Sequence, residues 1–358
     1  MTDRPKVRTD LALRPGYHSP QIDVDVRLNT NEAPTALPRA FDAALADAMV
    51  DIAWNRYPDR AASELRQRLA DRYGRTKEEI FVANGSNEVL QTIMLTFGGA
   101  GRTAAIFEPT YAMHGQIAKT TATMVAEGAR AEDFSLDLDE VRRVVDENQP
   151  HVVFICSPNN PTGVVDPSDT VDKVLEIMSG TDGLLVVDEA YGQFSETSAV
   201  DKVAEDVPLV VSRTFSKTWS MAAARLGYLI GPAWIIAELE KVVLPYHLDS
   251  FKQLAGAIAL DFHDDMDKQV GLIVSERERV MAALAELPVR VWPSGANFFL
   301  FKAHEMSGDD VWQGLIDRSV LVRNTANWPR LDDCLRVTIG TPEENNAFLE
   351  ALTEVLAK

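Results

Sequence analysis

Five short apolar runs constrain this chain more than any other feature: AAIF (104–107), VVFIC (152–156), LLVVD (184–188), LVVS (209–212) and YLIG (228–231). Each has the length of a strand, and none alternates with polar residues, so each strand is expected to be covered on both faces. Helical patterns separate several of them, which predicts a largely parallel sheet sandwiched between helices. Upstream, Phe41, Ala44, Leu45, Ala48, Met49 and Ile52 recur at helical spacing behind Pro38. Leu65, Leu69 and Tyr73 mark a second helix. Val89, Leu90, Ile93, Met94 and Phe97 mark a third, from about Asn87. RYPDR (56–60) reads as a turn, and the first 35 residues as irregular.

From about residue 250 the texture changes. A long helical stretch over 251–287 precedes VRVW (289–292), FFLF (298–301), a helix near 309–318, VLVR (320–323), LRVTI (335–339) and a terminal helix near 343–357. This predicts a second, smaller α+β unit.

Charge bounds the partners. Against 35 Lys and Arg stand 54 Asp and Glu, a formal net charge of −19 over 358 residues. Nucleic acid and anionic membrane are poor partners for such a surface, and an anionic substrate needs local arginines to capture it. The two cysteines, Cys156 and Cys334, make neither a disulfide framework nor a zinc spacing. MTDRPKVRTDLALRPG has no signal-peptide core, and no apolar run reaches the ~18 residues of a membrane span. The expectation is a cytoplasmic protein with free thiols and no metal.

In parallel sheets ligands gather at the carboxyl ends of strands. SPNNPTG (157–163) follows VVFIC, DEAYG (188–192) follows LLVV, RTFSKTW (213–219) follows LVVS, and Arg225 precedes YLIG. One sheet edge is thus expected to hold Asn160, Asp188, Tyr191, Ser216, Lys217 and Arg225. Taken singly these are ordinary residues: a solvated lysine, a capping aspartate, a turn. Their order after successive strands resembles the fold type I aminotransferases that use pyridoxal 5'-phosphate (PLP). That chemistry needs a lysine amine of lowered pKa to condense with the cofactor aldehyde. It needs a carboxylate beside the pyridine nitrogen and donors for the ring phenolate. It also needs a helix start, hydroxyls and an arginine for the phosphate.

The resemblance puts Lys217 on the aldehyde, Asp188 on the ring nitrogen, Asn160 and Tyr191 on the phenolate, and Ser216 and Arg225 on the phosphate. Thr214 joins the cofactor contacts. Lys217, Asp188 and Tyr191 are the implied catalytic set. VANGSNEVL (82–90) supplies a Gly-rich helix start, with Gly85, Ser86 and Asn87 at the phosphate. PTYAMH (109–114) supplies Tyr111 to stack on the ring.

Nearly the whole chain is similar to histidinol-phosphate aminotransferases. RLNTNEAP (27–34), NRYPD (55–59), LPYHLDS (244–250), SGANFFLF (294–301) and LRVTIGTPEENNAFL (335–349) carry this narrower likeness. It implies exchange of an amino group between L-histidinol phosphate and 2-oxoglutarate, giving imidazole acetol phosphate and L-glutamate, in histidine synthesis. Arg336 matches a substrate arginine, Arg323 a second one on the phosphate, and Tyr17 a tyrosine closing over the substrate. Asn160 also borders the substrate. Tyr57 matches a residue reaching the cofactor of a neighbouring subunit, so a homodimer with shared sites is implied. His247 and Asn31 lie near the site by motif. The implied division is a large PLP-binding unit over 36–250 and a small one of 1–35 with 251–358. The competing expectation is an aromatic (phenylalanine/tyrosine) aminotransferase with the same machinery.

Overall fold

The computed structural model describes residues 5–8 and 21–357. Its strands are β1 (Val26–Leu28), β2 (Ile80–Ala83), β3 (Thr103–Glu108), β4 (Met124–Ala129), β5 (Val152–Cys156), β6 (Leu184–Asp188), β7 (Leu209–Thr214), β8 (Gly227–Ile230), β9 (Val289–Val291), β10 (Phe298–Ala303), β11 (Val320–Asn324) and β12 (Leu335–Thr338). Its helices are α1 (Arg39–Met49), α2 (Ser63–Tyr73), α3 (Ser86–Phe97), α4 (Met113–Thr120), α5 (Leu138–Asn148), α6 (Thr170–Ile177), α7 (Ala233–Leu239), α8 (Ser250–Ala259), α9 (His263–Leu284), α10 (Gly308–Ile316) and α11 (Pro342–Leu356).

Seven strands form one sheet in the order β2-β8-β7-β6-β5-β3-β4. The run β7-β6-β5-β3-β4 is parallel, whereas β8 lies antiparallel to both β7 and β2. Period-2 alternation explains the unbroken apolar runs. Val153, Ile155, Leu185 and Val187 enter one core with Leu65 and Leu69 of α2, Val144 of α5 and Ala255 of α8. Val152, Phe154, Leu184 and Val186 enter another with Leu90 and Ile93 of α3, Ile117 of α4 and Ile236 of α7. Both faces are covered, as the sequence predicts.

The second sheet has the order β1-β11-β12-β10-β9. Helices α9, α10 and α11 bury Ile273, Leu315 and Phe348 against its Phe299, Phe301 and Val337. Between the two sheets Phe134 and Val164 meet Trp292, Leu300, Leu331 and Cys334.

Two expectations change. The N-terminal stretch is not wholly irregular: Val26–Leu28 pairs in parallel with Val320–Val322, a strand of three residues that is too short to carry a period. The helical stretch 251–287 is two helices joined by a 3-10 turn over Leu260–Phe262. Arg68 Nη1 bonds the Ala257 carbonyl at 3.1 Å and the Asp261 carboxylate at 2.8 Å. An acceptor of the helix ladder is thereby shared with a side chain at the break.

Candidate active site

The direction of β8 explains why its functional residue precedes the strand. Gly227 pairs with both Thr214 and Ala83, so the start of β8 lies level with the ends of β7 and β2. Residues after β2, β3, β5, β6 and β7 therefore meet Arg225 at one edge. A cavity of about 210 Å³ opens there. Ser86, Asn87, Tyr111, Asn160, Asp188, Tyr191, Thr214, Ser216, Lys217 and Arg225 line it, together with Arg323 and Arg336 from the smaller sheet.

At one end α3 begins without a side-chain cap, because its N-cap is Gly85 (φ 82°). The uncapped first-turn amides form a ready anion site. A Cβ on Gly85 would stand 2.9 Å from Arg225 Nη2, and one on Gly227 would stand 2.4 Å from Ser86 N. Only glycine permits this close approach. Arg225 Nη1 donates to Ser216 Oγ at 3.3 Å and to the Ala222 carbonyl at 3.1 Å, and Thr214 Oγ1 donates to Ser216 Oγ at 3.0 Å. Amides, hydroxyls and a guanidinium thus converge at this end of the cavity. Tyr111 stands beside it, its hydroxyl donating to Asn87 Oδ1 at 3.1 Å.

On the floor, Asp188 is buried, and its Oδ1 accepts the Ala190 amide at 3.1 Å. Its Oδ2 lies 3.0 Å from His114 Nε2, a residue the motif reading passed over in favour of Tyr111. His114 is fully buried, stacked on Phe154 at 4.8 Å and edge-on to Tyr111 at 5.5 Å. The two residues stand together in PTYAMH, where the turn that opens α4 has the His114 amide donating to the Tyr111 carbonyl at 3.0 Å. Nδ1 of His114 has no hydrogen-bond partner among the described residues. The tautomer carrying its proton on Nε2 is therefore favoured, donating to Asp188.

Lys217 borders the cleft, and its Nζ donates to the Asn31 carbonyl at 2.8 Å and to that of Thr30 at 3.3 Å. Burial, and then the charges of Arg336 and Arg225, lower its amine to about 7, with Glu32 opposing. An amine with a large neutral fraction near pH 7 is a nucleophile and a proton acceptor. Burial pushes the Tyr191 phenol up to about 12, so it keeps its proton; its oxygen accepts Asn31 Nδ2 at 2.9 Å. Burial also raises the Cys156 thiol, which is no competing nucleophile.

The far wall comes from the smaller sheet. Arg323 and Arg336 are paired across β11 and β12. Arg336 Nη1 donates to Asn160 Oδ1 at 2.7 Å, and Nη2 to the Asn29 carbonyl at 3.0 Å. Asn31 lines the cavity, as its motif suggests, and so do Asn29, Thr30 and Trp328, which the sequence did not mark. Two positions lie elsewhere. His247 is outside the cavity, its Nε2 2.9 Å from the Val82 carbonyl and its ring against Phe81. Tyr57 is 80% exposed and stacks on Tyr246 at 4.5 Å. Tyr17 falls outside the described residues.

Comparison with known proteins bears on the family of the chain. Residues 23–352 match the family described as aminotransferase class I and II. The chain is 41% identical to the histidinol-phosphate aminotransferase of Corynebacterium diphtheriae, over 98% of this chain and 96% of that one. It is 43% identical to that of Streptomyces avermitilis, over 98% and 96%. In fold it is similar to the histidinol-phosphate aminotransferase of Sinorhizobium meliloti, solved in complex with pyridoxal-5'-phosphate. That match has a TM-score of 0.85 and 21% identity, over 93% of this chain and 91% of that one. The chain belongs to the class I and II aminotransferases, within their histidinol-phosphate aminotransferase branch.

Proposed function

We infer that this enzyme moves an amino group between L-glutamate and imidazole acetol phosphate, giving 2-oxoglutarate and L-histidinol phosphate, with PLP as cofactor. One observation carries the reading: a lysine amine of depressed pKa, a buried aspartate and two cross-strand arginines line the same cavity. The donor set fits PLP. The glycine-crowded cup at Gly85, Ser86 and Arg225 suits a phosphate, and Asp188 on the floor suits a pyridine nitrogen. When bound, PLP supplies an aldehyde for amines and a ring that accepts electron density from the substrate Cα.

The chain's own residues do the rest. Asp188, held by the Ala190 amide and His114, favours a protonated ring nitrogen with its carboxylate. Asn160 and Tyr191 would donate to the ring oxygen, and Tyr111 would flank the ring. Lys217 Nζ takes the Cα proton of the amino donor in one half-reaction and returns a proton to Cα in the other. Arg336 receives the donor's distal carboxylate or the acceptor's phosphate, because a planar guanidinium pairs with either. Arg323 adds a second contact to the phosphate.

We also infer that the chain divides into 36–250 and 1–35 with 251–358, and that two copies pair in the cytoplasm with shared sites. The exposure of Trp54 (74%), Tyr57 (80%) and Leu244 (74%), with Tyr57 stacked on Tyr246, supports the pairing. Sedimentation of the holoenzyme at twice the chain mass is the expected result.

The test of function is a half-reaction titration. PLP-form enzyme is mixed separately with histidinol phosphate and with phenylalanine, and the cofactor spectrum is followed. Conversion by histidinol phosphate and not by phenylalanine is expected. A faster response to phenylalanine would move the enzyme to the aromatic group.

A further inference from the structure

Each of the two arginines on the cavity wall has an aromatic ring behind it. Arg336 Cζ lies 5.1 Å from the ring centroid of Phe298, and Arg323 Cζ lies 5.3 Å from that of Trp328. Such contacts orient a guanidinium by the field of the ring face, most strongly when the ring is indole. Phe298 belongs to FFLF on β10, but Trp328 lies on the connection between β11 and β12 and belongs to no motif considered above.

That connection is held rigidly. Thr325 N and Oγ1 both donate to the Cys334 carbonyl, at 3.1 and 2.7 Å, closing its base. Leu331 is fully buried in the cluster between the sheets, and the half-buried Trp328 packs against that cluster. Arg330 Nη2 donates to the Ala131 carbonyl at 3.2 Å, tying the connection to the larger sheet's side of the molecule. The Trp328 amide donates to the Thr325 carbonyl at 2.9 Å. The indole therefore has a fixed place, where it lines both the main cavity and a second one on its outer side. Its Nε1 is buried without a hydrogen-bond partner among the described residues. What this side chain contributes is accordingly its face.

We propose that Trp328 is a positioning residue that sets substrate preference: its ring holds the Arg323 guanidinium against the cavity, favouring the phosphate-bearing substrate over glutamate. The inference rests on the reading of the site given above. Glutamate, with one distal carboxylate, is served by Arg336. The phosphate monoester offers more acceptor oxygens than Arg336 alone can engage, and so it depends on Arg323 as well. Trp328 acts on Arg323, so losing its face penalises one substrate and spares the other.

The test uses holoenzyme in separate half-reactions with histidinol phosphate and L-glutamate. Trp328→Leu keeps apolar bulk against Leu331 but has no aromatic face; Trp328→Phe keeps a face and lacks the N–H. For Trp328→Leu, the histidinol phosphate concentration giving half-maximal conversion should rise tenfold or more, with glutamate within threefold of wild type. Trp328→Phe should recover most of the difference. Equal losses with both substrates, an unfolded Trp328→Leu included, would reduce Trp328 to a packing residue and overturn the proposal. So would an unchanged ratio, or a Trp328→Phe variant as impaired as Trp328→Leu. A wild-type enzyme that ignores histidinol phosphate overturns the functional reading first and the proposal with it.

Discussion

The two edges of the larger sheet obey different rules. At the carboxyl edge, backbone and side chains are pressed together: Gly227 lies where a Cβ would be 2.5 Å from Gly85 C, and buried polar groups face one another across a small cavity. At the opposite edge crowding is uneven: a Cβ on Gly183 would stand 2.7 Å from the Pro150 carbonyl oxygen, whereas other turns are open. Gly180, between α6 and β6, has a positive φ (84°) like Gly85, yet a Cβ there would meet nothing within 4 Å. Ion pairs towards that side, such as Arg143 with Glu147 on the α5 helix that leads into β5, are surface contacts of small worth. The same strands carry both edges, but the polar groups of the cavity gather at the carboxyl rim.

The largest test of that contrast is Lys217→Ala, which should lower turnover by about a thousand-fold or more and abolish the absorbance of lysine-bound cofactor. A fully active variant would break the comparison at its centre.

Arg336→Ala asks whether the committed edge is complete without the smaller sheet. Both half-reactions should slow by about a hundredfold, since a charge-assisted pair is lost in each. The pH profile should move as well. Arg336 is the second cause, after burial, of the lowered Lys217 amine, so removing its charge raises that pKa above about 7. Capture of added cofactor by the apoenzyme needs neutral amine, and its midpoint should therefore shift to higher pH. In wild-type apoenzyme the same depression means the folded chain binds fewer protons at Lys217 between about 7 and 10.5. This group's contribution to stability accordingly rises with pH across that window.

Gly227→Ala should cost about 1–3 kcal/mol and weaken cofactor retention, because the atoms it meets are backbone and cannot turn aside. Melting curves with and without cofactor would show both effects. His114→Phe removes one hydrogen bond from Asp188, and a roughly tenfold fall in kcat with little change in KM is expected. Gly180→Ala should cost only about 1 kcal/mol, from its left-handed backbone, and leave cofactor retention untouched. Lost retention there would show that the edges are not independent.

Much of the carboxyl edge was legible because it is local in sequence. Asn160, Asp188, Ser216 and Lys217 each follow an apolar run within a few residues, so strand prediction carries the chemistry with it. Arg225 was legible only as a residue before a strand, and its meaning depended on β8 running backwards. Other features were hidden for stated reasons. β4 is an edge strand whose burial does alternate, but the buried positions are Ala126 and Gly128, too small to mark an apolar pattern. The motif places Asn31 near the site but does not show its contact with Tyr191, which is made with a positive φ (56°) from a segment far away in the chain. Trp328 gains its neighbour Arg323 only through the fold of a connection that has no periodicity at all.

The cross-strand pairing of Arg323 with Arg336 has one more consequence, for the ionic strength at which the enzyme works. Both proposed substrates are anions, and the chain as a whole carries −19. At low salt that distant field repels the approaching substrate, whereas the paired guanidinium groups act only at contact. The Debye length shrinks to about 10 Å at 0.1 M, which screens the distant repulsion before the contact attraction. Added salt should therefore speed substrate capture at first, the reverse of what a cationic enzyme shows, and slow it only once the arginines themselves are screened.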